Sequence, residues 1–202
     1  MNLRTLPRAA SGPQSNGWWG MVWLLVIEGM VIGSFIVSWF YLRLYNPRWP
    51  PPNIPLPEVL EPGLRTILLF VGAALLIGAA RAVAPTAGRT PEDTRRRVLV
   101  GLLGGAIPVL AYIAVGAWDL ATQDLSWRVH VYASMYWMIT GYALLHAVTL
   151  LGLQGVVGAL ALAGHAGRDR PVPVQIVALY GGFVAVTSLL TWLTLHVGPY
   201  LM

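Results

Sequence analysis

The chain has 202 residues, of which 56% are hydrophobic and only 10% charged, and its mean hydropathy is +0.65. Soluble domains carry about 25% charged residues, so this composition excludes an ordinary globular enzyme and points to an integral membrane protein. There is no cysteine, which excludes a disulfide framework and thiolate metal sites, and the 13 basic residues are all arginine. The net charge of +5 lies in loops, where membrane topology explains it better than nucleic-acid binding, so no nucleic-acid partner is expected.

A bilayer core needs about 20 apolar residues per helix. Five stretches meet that need, at about 18–42, 65–83, 98–118, 130–153 and 174–197, the fourth with a possible extension to 163. The expected fold is all-α: a tail at 1–17, then one five-helix transmembrane domain over 18–202. The first apolar run is too long for a cleaved signal peptide and lacks a small-residue cleavage site.

Between the first two spans, "NPRWPPPNIPLPEVLEPG" places seven prolines in 18 residues. Such a loop cannot be helical throughout and is expected as a stiff, extended lid on the outer surface. Ahead of the third span, "TPEDTRRR" reads as a helix start, with Thr90 as cap, Pro91 at the first position and acids in the first turn. Within that span Gly101 and Gly105 form a small-xxx-small pair, read as ordinary helix contact, and Pro108 is expected to kink the helix. Trp18, Trp19, Trp49, Trp118 and Trp127 fall near span ends as an aromatic belt.

Arginine is unevenly shared between the two sides. The tail has Arg4 and Arg8. The second loop has Arg89, Arg95, Arg96 and Arg97, with Arg81 at its border, and the fourth has Arg168 and Arg170. The first and third loops mix Arg48 and Arg128 with Glu58, Glu61, Asp119 and Asp124; Arg43 and Arg65 mark the borders of the first. The positive-inside rule then puts the N-terminus in the cytoplasm and the C-terminus outside.

One residue breaks the apolar pattern. Glu28, in "WLLVIEGM", is the only charge between Gly17 and Leu42. Intramembrane acids are rare, face the bundle interior and need a partner. Its neighbours one turn away, Leu24, Leu25, Val31 and Ile32, cannot supply one. By residue counting Glu28 lies roughly 15 Å into its span, about level with His146 in the fourth. His146 is therefore the expected partner, with Arg81 the weaker candidate. The alternative is an acid bonded to a backbone carbonyl with no further role.

Other chemistry is poorly supported. The four histidines, His130, His146, His165 and His196, include no pair three or four apart, so haem or copper ligation by this chain is not expected. Ser34 lacks a nucleophile-elbow motif and is expected to pack a helix interface. There is no phosphate-binding loop.

Four stretches, taken in order, resemble subunit III of the haem-copper oxidases. "WWGMVWLLVIEGMVIGSFIVSWFYLRL" resembles that family's helix with a buried glutamate, and "RWPPPNIPLPEVLEPGLRTILLFVGAALLIGAARA" resembles the next segment, with Arg65 and Thr66 at the family's Asn-Thr. In "YASMYWMITGYALLHAVTLLG", Thr140, Gly141 and His146 match a T-G-x-H-x-x-H helix, Ala143 replacing the first histidine. In "YGGFVAVTSLLTW", Tyr180, Phe183 and Val184 fit an aromatic segment, while Gly182 and Ala185 replace its His and Asp.

The resemblance, to a divergent five-helix form, runs from about Trp18 to Tyr200 and has several implications. It implies a subunit with no active site, haem or copper of its own, in the bacterial plasma membrane. Haem and copper would belong to partner subunits. It further implies packing beside oxidase subunit I and other oxidase subunits, bound phospholipid, support of proton uptake and of the complex during oxygen reduction, and contact with cytochrome c or a respiratory supercomplex only through the complex. Glu28 would be the family's buried carboxyl. An accessory subunit of a nitric oxide reductase looks similar in sequence, and an independent proton-coupled transporter using Glu28 is a further alternative.

Overall fold

The computed structural model describes residues 11–46, 48–84 and 90–201. Five helices make up the fold: α1 Asn16–Leu44, α2 Leu60–Ala82, α3 Pro91–Thr122, α4 Val131–Leu162 and α5 Val172–Trp192. After α5 the chain continues through a π turn, Leu193–Val197, and a 3-10 turn, Gly198–Tyr200. Each of the five is long and apolar enough to cross a membrane. Arg4, Arg8 and Arg89, which entered the expected orientation, lie outside the described residues, as does most of the 1–17 tail.

The helices run past the expected spans where polar residues carry them on. α3 starts at Pro91 because Thr90 caps it, its hydroxyl oxygen accepting from the Asp93 amide at 3.1 Å. α4 starts where His130 Nδ1 accepts from the Tyr132 amide at 3.0 Å. Pro108 sits inside an α3 that continues on both sides of it.

α2 is central, packed against both α3 and α5, while α4 closes the bundle against α3 and α5. Glycines set the α2–α3 seam. A Cβ on Gly101 would lie 2.7 Å from the Ala79 Cβ and 2.9 Å from the Leu75 carbonyl oxygen, so only hydrogen lets the backbones approach this closely. The core along this seam includes Leu69, Leu76, Leu102 and Val109, joined from α4 and α5 by Leu150 and Val177. α1 is peripheral. It rests on α5 and α4, and only Ile32 and Trp39 of its residues are buried.

Two expectations about single residues are corrected. Trp49 is not part of an interfacial belt: it is buried, with ring centroids 5.0 Å from Trp39 and 5.1 Å from Tyr132. The proline loop folds it inward, where three aromatic rings bury one another. Ser34 packs no helix interface within the chain. It is exposed and donates to the Met30 carbonyl on its own helix at 2.8 Å.

The proline-rich loop is strapped down by the chain's C-terminal end. Trp192 Nε1 donates to the Val59 carbonyl at 2.9 Å, and the Tyr200 hydroxyl to the Pro57 carbonyl at 3.0 Å. Between them His196 Nδ1 lies 2.6 Å from the Glu58 carbonyl. Three side chains spaced four apart thus satisfy three successive carbonyls of a loop whose prolines deny it a regular backbone ladder.

Candidate functional site

Glu28 projects from the middle of α1 toward α4. Its Oε2 lies 3.4 Å from His146 Nε2, an ion-pair separation, and accepts a hydrogen bond from the Tyr142 hydroxyl. Tyr142 also reaches the Glu28 backbone carbonyl at 3.2 Å. His146 Nδ1 is 2.9 Å from the Tyr142 carbonyl. A carbonyl only accepts, so Nδ1 carries the proton there, and Nε2 is the nitrogen turned to the carboxyl.

The surroundings are aromatic. The His146 ring lies 4.2 Å from Tyr142, 6.0 Å from Phe183 and 6.2 Å from Tyr180, nearly parallel to the last. Phe35 of α1 meets Tyr142 edge-on at 5.3 Å. His146 is buried but Glu28 is 29% exposed, because α1 is a rim helix. The pair therefore sits at an edge of the bundle with one side open to whatever lies against α1.

Arg81 is elsewhere. It is exposed at the end of α2 and lines a cleft with Asp93, Arg96 and Arg97 of α3. The counting that made it a candidate used depth alone, and depth does not say which face of the bundle a residue takes. Tyr142, not singled out from sequence, makes the closest contact to Glu28. The signal for it was its place four residues before His146, which puts both on one helix face.

A second polar cluster joins α2, α3 and α5. Arg65 is buried, with Nη1 2.6 Å from Asp119 Oδ2 and 3.9 Å from Glu61 Oε1. Its guanidinium carbon stands 5.6 Å from the centre of the Tyr112 ring. Ser188 donates to the Tyr112 hydroxyl at 3.2 Å and lies 3.4 Å from the Thr66 hydroxyl. Gly116 makes room: a Cβ there would come within 3.1 Å of Arg65 Nη1.

Among the described residues no three His, Asp or Glu side chains are grouped to hold a metal ion. The fold and site define a multi-pass helical membrane protein with a carboxyl–imidazole pair at its rim and an ion pair between a buried arginine and a part-exposed aspartate. No family model matches the chain. It is similar to cytochrome c oxidase subunit 3 of Synechocystis sp., with 24% identity over 184 residues, 91% of this chain and 74% of that protein. The part outside the match is shorter than any of the five helices, so the similarity reaches into all of them. Distant as it is, this similarity supports the subunit III family.

Proposed function

We propose that the chain is the non-catalytic subunit III of a bacterial haem-copper oxidase, in a divergent five-helix form. In this reading it packs beside the catalytic subunit I, which holds the haem and copper. The N-terminus lies in the cytoplasm and the C-terminus outside. Bound phospholipid and the Glu28–His146–Tyr142 group serve proton uptake and the stability of the complex during oxygen reduction. The observation that carries the reading is the match to a cytochrome c oxidase subunit 3 that extends into every helix. The rim position of α1, almost all unburied within the chain, agrees with a helix that has further neighbours.

The test is native purification through a tag on this chain, followed by mass spectrometry of the partners and an optical haem spectrum. The expected result is a haem-bearing catalytic subunit in constant ratio to this chain, with oxygen consumption in the preparation. Recovery of the chain alone, or only with haem-free partners, would overturn the reading. Nitric oxide reduction without oxygen consumption would move the chain to the related reductase complex. Proton flux through liposomes holding only this chain, lost in Glu28→Gln, would make it a transporter.

A further inference from the structure

Beside the Arg65–Asp119 pair, α2 to α5 enclose a cavity of about 20 Å³. Its wall takes in Arg65 and Thr66 of α2, Tyr112 of α3, Thr140 of α4, and Ser188 and Thr191 of α5. Three of these side chains are paired: Thr66 donates to the Pro62 carbonyl at 2.9 Å, and Ser188 to the Tyr112 hydroxyl at 3.2 Å. The other three residues bring polar atoms that are not. Arg65 Nε, Thr140 Oγ1 and Thr191 Oγ1 have no hydrogen-bond partner among the described residues, and none of the three residues is more than 9% exposed. The Tyr136 hydroxyl stands near Thr140, but their geometry falls short of a hydrogen bond. Unpaired polar groups are costly inside a membrane span, where no bulk water reaches them. A threonine in a helix has an easy way out. Thr66, Thr149 and Thr187 each donate to the carbonyl four residues back at 2.9 Å. Thr140 and Thr191 leave that bond unmade, and both line this one cavity.

We propose that this cavity is a binding site for one water molecule, which accepts from Arg65 Nε and donates to the hydroxyl oxygens of Thr140 and Thr191. Size and chemistry both fit. A buried water needs roughly 10–15 Å³ and two to four polar partners, and this cavity offers room for one water and three partners. The guanidinium repels a cation, and its charge is already met by Asp119 at 2.6 Å, so no anion is called for. Through the water Arg65 reaches Thr140 of α4 and Thr191 of α5, as it reaches Asp119 of α3 directly. One buried side chain of α2 thus ties together the other three helices of the core. The way in is short. Pro62 and His196 line both this cavity and a wider one of about 510 Å³ bordered by the proline-rich loop. The inference requires only the helical fold and does not depend on the oxidase reading.

The unaltered chain, purified with whatever copurifies, is imaged by electron cryomicroscopy at a resolution that shows ordered water. A single peak is expected within roughly 3.2 Å of all three atoms. Ala143→Leu puts apolar bulk on the cavity wall and should abolish the peak. Thr187→Val is the control, since Thr187 is bonded to its own helix and does not line the cavity. It should leave the peak in place. Thermal unfolding supplies a second readout. Thr140→Val and Thr191→Val remove acceptors of the same water, so the double variant should lower the unfolding temperature by less than the sum of the two single shifts. The proposal is overturned if the unaltered protein shows no peak, or shows two of the three atoms bonded directly to each other. A peak that persists in Ala143→Leu, or strictly additive threonine shifts, also overturns it. Should Ala143→Leu not fold, the map of the unaltered chain and the threonine pair decide the matter between them.

Discussion

The two polar clusters face the same difficulty, a charge within an apolar helix, and meet it differently. Arg65 and Asp119 form a 2.6 Å pair in which the guanidinium keeps its charge. Its guanidinium is buried beside Tyr112 and Gly116, between the two helices that pack most closely, while the carboxylate is 42% exposed. Glu28 and His146 are a weak acid and a weak base 3.4 Å apart, the first on a rim helix packed mainly on α5 and α4 and the second on α4. The first arrangement suits holding helices in register. The second, in the proposed reading, is the one that serves proton uptake. Position in the bundle separates a structural pair from a functional candidate more clearly than residue type does.

The largest effect should come from breaking the fixed pair, and the two ways of breaking it should differ. Asp119→Ala leaves a buried guanidinium with only Glu61 at 3.9 Å, and should cost about 3 kcal/mol. Arg65→Met leaves a carboxylate that is 42% exposed and still hydrated, so it should cost clearly less. Thermal unfolding in detergent measures both. Equal losses would mean that the pair is not the interaction that holds this end of the bundle.

Next is the seam itself. Gly101→Val would force the α2 and α3 backbones apart, since its Cβ already meets Ala79 and the Leu75 carbonyl below contact distance. Overpacking of this kind costs about 1–3 kcal/mol. Unfolding should shift while the Glu28 carboxyl band in infrared spectra stays in place. A moved band would show that the two regions are mechanically joined.

The sequence made the helix count and the Glu28–His146 proximity legible, because hydropathy reports spans and residue counting reports depth. It did not expose the Arg65–Asp119 pair. Hydropathy ends a span at its first charge, so Arg65 fell at a border and Asp119 in a loop, whereas α2 begins at Leu60 and α3 runs to Thr122. Charges that neutralise each other remain inside helices that a hydropathy window cuts short. Arg81 was misplaced for a related reason, since depth carries no information about azimuth. The strap of Trp192, His196 and Tyr200 was invisible because its acceptors are backbone carbonyls, which no residue pattern encodes.

That strap should give a smaller effect than either perturbation of the α2–α3 pair. His196→Ala removes one hydrogen bond to the Glu58 carbonyl and the ring contact with Tyr136, at about 1 kcal/mol. Cleavage of the 48–59 loop by an added protease should quicken well before global unfolding changes. An unchanged cleavage rate would mean that the loop holds itself without the strap.

The smallest effect on stability is expected at the site of greatest functional interest. Glu28→Gln keeps the shape of the side chain and an oxygen to accept from Tyr142, and replaces the ionisable oxygen by an amide that can donate to His146, so unfolding should move by less than about 1 kcal/mol. The nitrogen-15 resonance of His146 Nε2 should shift while that of Nδ1, held by the Tyr142 carbonyl, stays put. Proton-linked turnover of the purified complex should fall in the same variant. A loss of stability as large as that of Asp119→Ala would make Glu28 a second structural pair, and the distinction between the rim and the interior would collapse.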